Sequence, residues 1–129
     1  MTEIPNSKQY FKQYDLEERT FQFSKKCRDF LNKLPKTVSN VEYSKQLARS
    51  SGSQAANYIE ANESLSKKDF IYRIRICRKE TKETCLWLRL CDPINSNELL
   101  KEQNSLSQEA IELRKIFSSI LDKSSYKIV

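Results

Sequence analysis

Histidine is absent from this 129-residue chain, glycine occurs once and proline three times. Without imidazole the commonest general base, the Ser–His and Cys–His nucleophile pairs and most transition-metal sites are unavailable. One glycine cannot build a Gly-rich phosphate loop. So few breakers leave few turns and long elements. A β-sandwich needs a turn signal every ~8–12 residues, and the chain does not supply them. No run of about 18 apolar residues exists to span a membrane. The polar stretch from Met1 to Gln13 has no apolar stretch of the signal-peptide kind. The four cysteines, Cys27, Cys77, Cys85 and Cys91, show no CxxC spacing. They read as small core residues carrying reduced, cytoplasmic thiols rather than as a zinc site, and no cofactor is expected.

What is present is helical. Lys, Glu, Gln, Leu, Arg and Ala are plentiful, as a helical protein requires. Asp15 with Glu18 resembles an N-cap and capping box, and Leu16, Thr20, Phe23, Cys27, Phe30 and Leu34 then recur in steps of four and three until Pro35. Residues 1–14 lack a period and are expected to form a flexible arm. Ser39 or Asn40 can cap a second helix to about Asn62, with an apolar face of small residues: Ser44, Leu47, Ala48, Ser51, Ala55, Tyr58 and Ile59. Gly52 in its middle suggests the close approach of another backbone. Ser66 with Asp69 opens a third helix, in which Phe70, Ile74, Cys77, Thr81, Thr84, Leu88 and Cys91 keep a strict 4-3 spacing, closed by Asp92-Pro93. Ser96 opens a fourth, with Leu99, Gln103, Leu106, Ala110, Leu113, Phe117 and Ile120 in the same pattern. Residues 123–129 read as a loose basic tail. The expected fold is all-α, an antiparallel up-down-up-down four-helix bundle with helices at about 15–34, 40–62, 66–92 and 96–122.

The net charge is +6 and the pI about 9.2. Such a balance suits an acidic partner, nucleic acid first, although ordinary solubility charge accounts for it equally well. Helix three carries the positional signal. At ~100° per residue its side chains form three stripes. Beside the core stripe lie Ile76, Glu80, Glu83, Trp87 and Leu90 on one side, and Arg75, Arg78, Lys82 and Arg89 on the other. Ile76, Trp87 and Leu90 extend the apolar surface past what one bundle face needs, which predicts a homo-oligomer interface. The alternative is that helix three is simply the central element of a splayed bundle. The basic stripe suits a phosphate backbone; the alternative is a solvated face with i,i+4 pairs to neighbouring acids. No interleaved aromatics support base stacking. Glu80 and Glu83, if enclosed, need cationic or amide partners, and Arg49, Asn57 and Glu60 on helix two are candidates for one polar cluster. A carboxylate di-metal site would need Glu-x-x-His pairs, which are missing.

Several segments resemble, in order and spacing, the four-helix-bundle proteins named for the intervening sequences of bacterial 23S ribosomal RNA genes. They are Leu16-Glu17-Glu18-Arg19-Thr20 with Phe23; Leu34-Pro35; Gln46-Leu47-Ala48-Arg49-Ser50; Asn57-Tyr58-Ile59-Glu60-Ala61; Lys68-Asp69-Phe70; and Lys79-Glu80-Thr81-Lys82-Glu83-Thr84 followed by Leu86-Trp87-Leu88. The resemblance implies a ring-like homo-oligomer, a pentamer, without enzyme activity. It also points to the related accessory variability protein of diversity-generating retroelements, which binds nucleic acid and a reverse transcriptase. Ala61 stands where the family often has Gly, and Gln54 where relatives tend to be aliphatic. The expected function is non-enzymatic, a bundle contacting RNA or a nucleic-acid enzyme, with a protein-only adaptor as the alternative; an enzyme using Glu60, Glu80 and Glu83 is the third reading weighed against these.

Overall fold

The computed structural model describes the backbone of residues 8–128 and the side chains of residues 16–124. Four helices fill it: α1 Lys8–Lys33, α2 Val38–Asn62, α3 Lys67–Leu90 and α4 Asn97–Ile128. Each short connection reverses the chain. The residues that meet across the seams run in opposite order: Thr20 with Gln54 and Ser24 with Ser51 for α1–α2, Asn57 with Arg73 and Arg49 with Glu83 for α2–α3. α2 packs on α1 and α3, and α4 on α3 and α1, with no diagonal contact among the described residues. This is the up-down-up-down arrangement.

The helix ends follow local chemistry. Ser66 Oγ accepts from the Asp69 backbone N–H, and Ser96 Oγ from that of Leu99. Each satisfies a donor that the first helical turn leaves unpaired. At α2 the cap is Thr37, whose hydroxyl accepts from Asn40 N–H, rather than Ser39 or Asn40. Asn40 is instead buried and ties two loops together. Its amide donates to the carbonyls of Pro35 and Asp92, and its carbonyl accepts from Asp92 N–H. Between α3 and α4 the chain turns through Ile94 and Asn95, at φ 43° and 61°.

The expected core of α1 is buried at every position from Leu16 to Leu34, as is that of α3 from Ile74 to Cys91. Phe70 is only partly covered. On α4 the stripe holds through Phe117, after which Leu121 rather than Ile120 is enclosed. Gln103 belongs in this core because its amide donates to the Leu88 and Cys91 carbonyls, at 2.6 and 2.7 Å, at the end of α3 where helical partners run out.

The structure corrects four further expectations. α1 begins at Lys8, so Asp15 lies inside the helix and residues 8–14 are helical; the rest of the expected arm, residues 1–7, lies outside the described residues. α4 runs through Ile128, replacing the loose tail up to Val129, which is also outside them. Neither extension contains Gly or Pro, and extending a formed helix adds a hydrogen bond for each residue fixed. On α2 the buried stripe is Leu47, Ser50, Ser51, Gln54, Tyr58 and Ala61, while Ala48 and Ile59 are exposed. Polar side chains occupy that stripe because they find partners there. Ser50 and Thr84 hydroxyls meet at 2.7 Å, and the Gln54 amide donates to the Thr20 and Ser51 carbonyls. Finally, a Cβ on Gly52 would meet nothing within 4 Å, so no backbone crosses it.

Candidate nucleic-acid interface

α3 is flanked by α2 on one side and α4 on the other, and the two flanks carry different chemistry. On the α4 side an open groove of about 760 Å³ is lined by Arg75, Arg78, Lys79, Lys82, Glu83 and Leu86 of α3 with Arg114 and Ser118 of α4. Five cations therefore converge against a single carboxylate. Among the described residues none of the five forms a salt bridge. The i,i+4 pairing that would make this an ordinary solvated face is open to Lys79 and Glu83 by spacing, but Glu83 is turned elsewhere. Its Oε1 accepts from Arg49 Nη2, on α2, at 2.9 Å.

Of the four basic residues expected at the interface, Arg75, Arg78 and Lys82 line this groove and Arg89 does not. Arg89 occupies the last turn of α3, where a cation complements the helix dipole, an ordinary structural role. Lys79 and Arg114 were missed. Lys79 lies between two stripes by angle. Arg114 belongs to α4, whose register against α3 no single-helix periodicity reveals.

The α2 flank is packed and paired. Glu80 is 7% exposed and Glu83 partly exposed, and both face Arg49, whose Nη2 lies 3.2 Å from Glu80 Oε1. That contact is at ion-pair distance but outside hydrogen-bonding geometry. The Glu80 carboxylate foremost, then Glu83, raises the Arg49 pKa against the opposing effect of burial. Arg49, Glu80 and Glu83 thus form the expected polar cluster. Asn57 and Glu60 do not join it. The Asn57 carbonyl accepts from Arg73 Nη1 at 2.9 Å, and Glu60 is exposed. Glu60 lies eleven residues beyond Arg49, about 16 Å along the helix, so sharing a stripe did not mean contact. With Glu60 turned out, the three carboxylates do not converge. No group of three His, Cys, Asp or Glu among the described residues could hold a metal ion.

The apolar part of this flank is largely absorbed inside the chain. Trp87 is partly buried and stacks on Tyr43 of α2, with centroids 6.0 Å apart and planes at 29°. Its buried Nε1 has no hydrogen-bond partner among the described residues. Ile76 is likewise partly covered, while Leu90 remains 40% exposed. Leu90 shares one end of the bundle with the exposed Val38, Val41 and Ile94, since Asn40 bonds to Asp92 there. Burial favours the neutral form of three thiols, pushing Cys27 and Cys77 up to about 12 and Cys91 up to about 11.

The signature of the 23S rRNA-intervening sequence proteins matches residues 12–119. The chain belongs to that family. Among solved structures it is similar to a protein of unknown function from the S23 ribosomal protein family of Bacteroides thetaiotaomicron. The two superpose with a TM-score of 0.71 at 28% identity, over 86% of this chain and 98% of that one. No curated protein matches. The family name describes sequences interrupting ribosomal RNA genes, and the relative's function is unknown, so neither assigns an activity. No helix among the described residues is long and apolar enough to cross a membrane.

Proposed function

We propose that this protein is a non-enzymatic, cytoplasmic, homo-oligomeric bundle that contacts RNA through the α3–α4 groove. The observation that carries the reading is the convergence of Arg75, Arg78, Lys79, Lys82 and Arg114 on one open surface without ion-pair partners among the described residues. Unneutralised cations spaced along about 10 Å of helix axis, from position 75 to 82, match the repeat of a phosphodiester backbone more closely than a compact anion. The groove walls hold no aromatic ring, so contact is with backbone charge and shape and tolerates many sequences. Assembly multiplies weak grooves on one nucleic acid, and avidity then supplies affinity that one groove lacks. The ring of five, and a nucleic-acid enzyme such as a reverse transcriptase as a further partner, extend this reading through the family resemblance.

A protein-only adaptor is the second reading, favoured by Val38, Val41, Leu90 and Ile94 exposed at one end of the bundle. The two separate in one experiment. Light scattering on a sizing column is run for the wild type and Leu90→Glu, and each is titrated into fluorescent duplex RNA at several salt concentrations. The RNA reading expects wild-type binding that weakens steeply with salt and is lost in Arg78→Glu/Lys82→Glu. Oligomers that dissociate in Leu90→Glu, with no RNA binding by any variant, would establish the adaptor instead.

A further inference from the structure

We propose that Arg49, across the α2–α3 seam, is a positioning residue that draws the carboxylate of Glu83, at the groove's edge, away from the groove cations and so sets the groove's charge. The inference rests on the RNA-contacting role of that groove. Glu83 is the one anion among its lining residues, four positions from Lys79 and next to Lys82. Left to itself, a carboxylate at that spacing pairs along its own helix. It does not do so. Glu83 Oε1 lies 2.9 Å from Arg49 Nη2, across the α2–α3 seam. Arg49 also stands 3.2 Å from Glu80 Oε1, so one guanidinium neutralises both acids and leaves the groove cations unpaired.

Without Arg49 the Glu83 side chain, already 36% exposed, turns back toward Lys79 and Lys82 and competes with phosphate. Removing Arg49 alone would also leave Glu80 buried and unpaired, so the test is made in a Glu80→Gln background. Four chains are compared: Glu80→Gln alone, then with Arg49→Met, with Glu83→Gln, and with both. Each is titrated into a fluorescent RNA duplex of about 20 base pairs, from about 50 mM salt upward. Circular dichroism melts confirm folding. Adding Arg49→Met should weaken binding about tenfold at the lowest salt and make the salt slope shallower by about one, the signature of one lost phosphate contact. Adding Glu83→Gln to that chain should restore both affinity and slope, although Arg49 is still missing.

The rescue is decisive, because a merely structural Arg49 would not be replaced by neutralising Glu83. Affinity unchanged by Arg49→Met, or a loss that Glu83→Gln does not recover, overturns the assignment while leaving the groove's role standing. A wild type without salt-dependent RNA binding overturns the groove's role and this inference together.

Discussion

The two flanks of α3 are built from the same kinds of residue and end in opposite states. Toward α2, charges are partnered and apolar groups covered: Arg49 with Glu80 and Glu83, Ser50 with Thr84, Tyr43 with Trp87. Toward α4, five cations share a groove with no partner among the described residues. A stability-driven surface intersperses its signs, since like charges at i,i+4, such as Arg75 and Lys79, cost a few tenths of a kcal/mol. The difference teaches that the α2 flank serves the fold while the α4 flank tolerates repulsion that the fold does not need. That asymmetry implies separable effects: substitutions toward α2, Arg49 apart, should change stability, and substitutions in the groove should change binding.

The largest expected effect comes from the buried thiols. Cys77 is fully buried, its Sγ donates to the Gln54 carbonyl, and burial raises its pKa from 9.0 to about 12. Cys27 is raised by the same cause to about 12. Both folded values exceed the unfolded one, so the neutral thiol favours the native state. The contribution is complete below pH 9 and is lost as the pH climbs toward 12. The loss is about 1.4 kcal/mol per pH unit for each thiol over that window. Cys91, raised to about 11, adds to the same slope. Urea denaturation at rising alkaline pH should show it, and Cys77→Ala should remove about a third of it. Cys85, only partly buried and within the field of Arg114, has its pKa raised too. In the native protein at neutral pH a thiol reagent should modify Cys85 before Cys77, since the α4 flank is the open one. Equal rates at the two positions would erase the distinction between the flanks.

Next in size is Trp87→Ala. The ring stacks on Tyr43 and packs against the core, so its removal should lower stability by about 2–4 kcal/mol, read from the urea midpoint. Neutralising the groove through Arg75→Gln and Arg78→Gln should leave stability within about 0.5 kcal/mol, the usual range for exposed positions. A groove pair that destabilised as much as Trp87→Ala would mean that the cations support the fold after all.

How much of this was legible in the sequence depends on which information each feature needed. The cores of α1, α3 and most of α4 follow from period alone, because each helix faces one common interior and its apolar residues must line that side. α2 was read about one position out of phase. Its buried face contains Ser50, Ser51 and Gln54, which no hydrophobic count selects. They are enclosed only because Thr84 and the Thr20 carbonyl stand opposite, a fact of neighbouring helices. The same limit divides the candidate site. Arg75, Arg78 and Lys82 share a stripe of one helix and could be grouped from spacing. Arg114 enters from another helix, and Glu60 shared a stripe with Arg49 without reaching it. The polar cluster was found for Arg49, Glu80 and Glu83 because charges enclosed beside Trp87 required a cation, which is chemistry rather than register. The start of α1 was the helix end most misplaced. Asp15 has the right neighbours for a cap, but no Gly or Pro between Lys8 and Asp15 breaks the helix.

The smallest substitution asks whether the α2 flank is complete within one chain. Gly52 lies in the middle of α2, one turn from Arg49, in helical backbone without positive φ. A Cβ there would meet nothing within 4 Å. Glycine inside a helix costs about 0.5–1 kcal/mol relative to alanine, through the extra freedom of the unfolded chain and the lost side chain. With open space above it, Gly52→Ala should recover that amount and raise the melting temperature by about 3 °C. If the flank is closed by its own chain, the gain appears at every protein concentration. If a second copy packs across α2, the added methyl meets it, and the variant gains stability only when dilute while losing mass in light scattering. The sign of one methyl group, measured against concentration, therefore decides whether the seam that holds Arg49 faces solvent or another subunit.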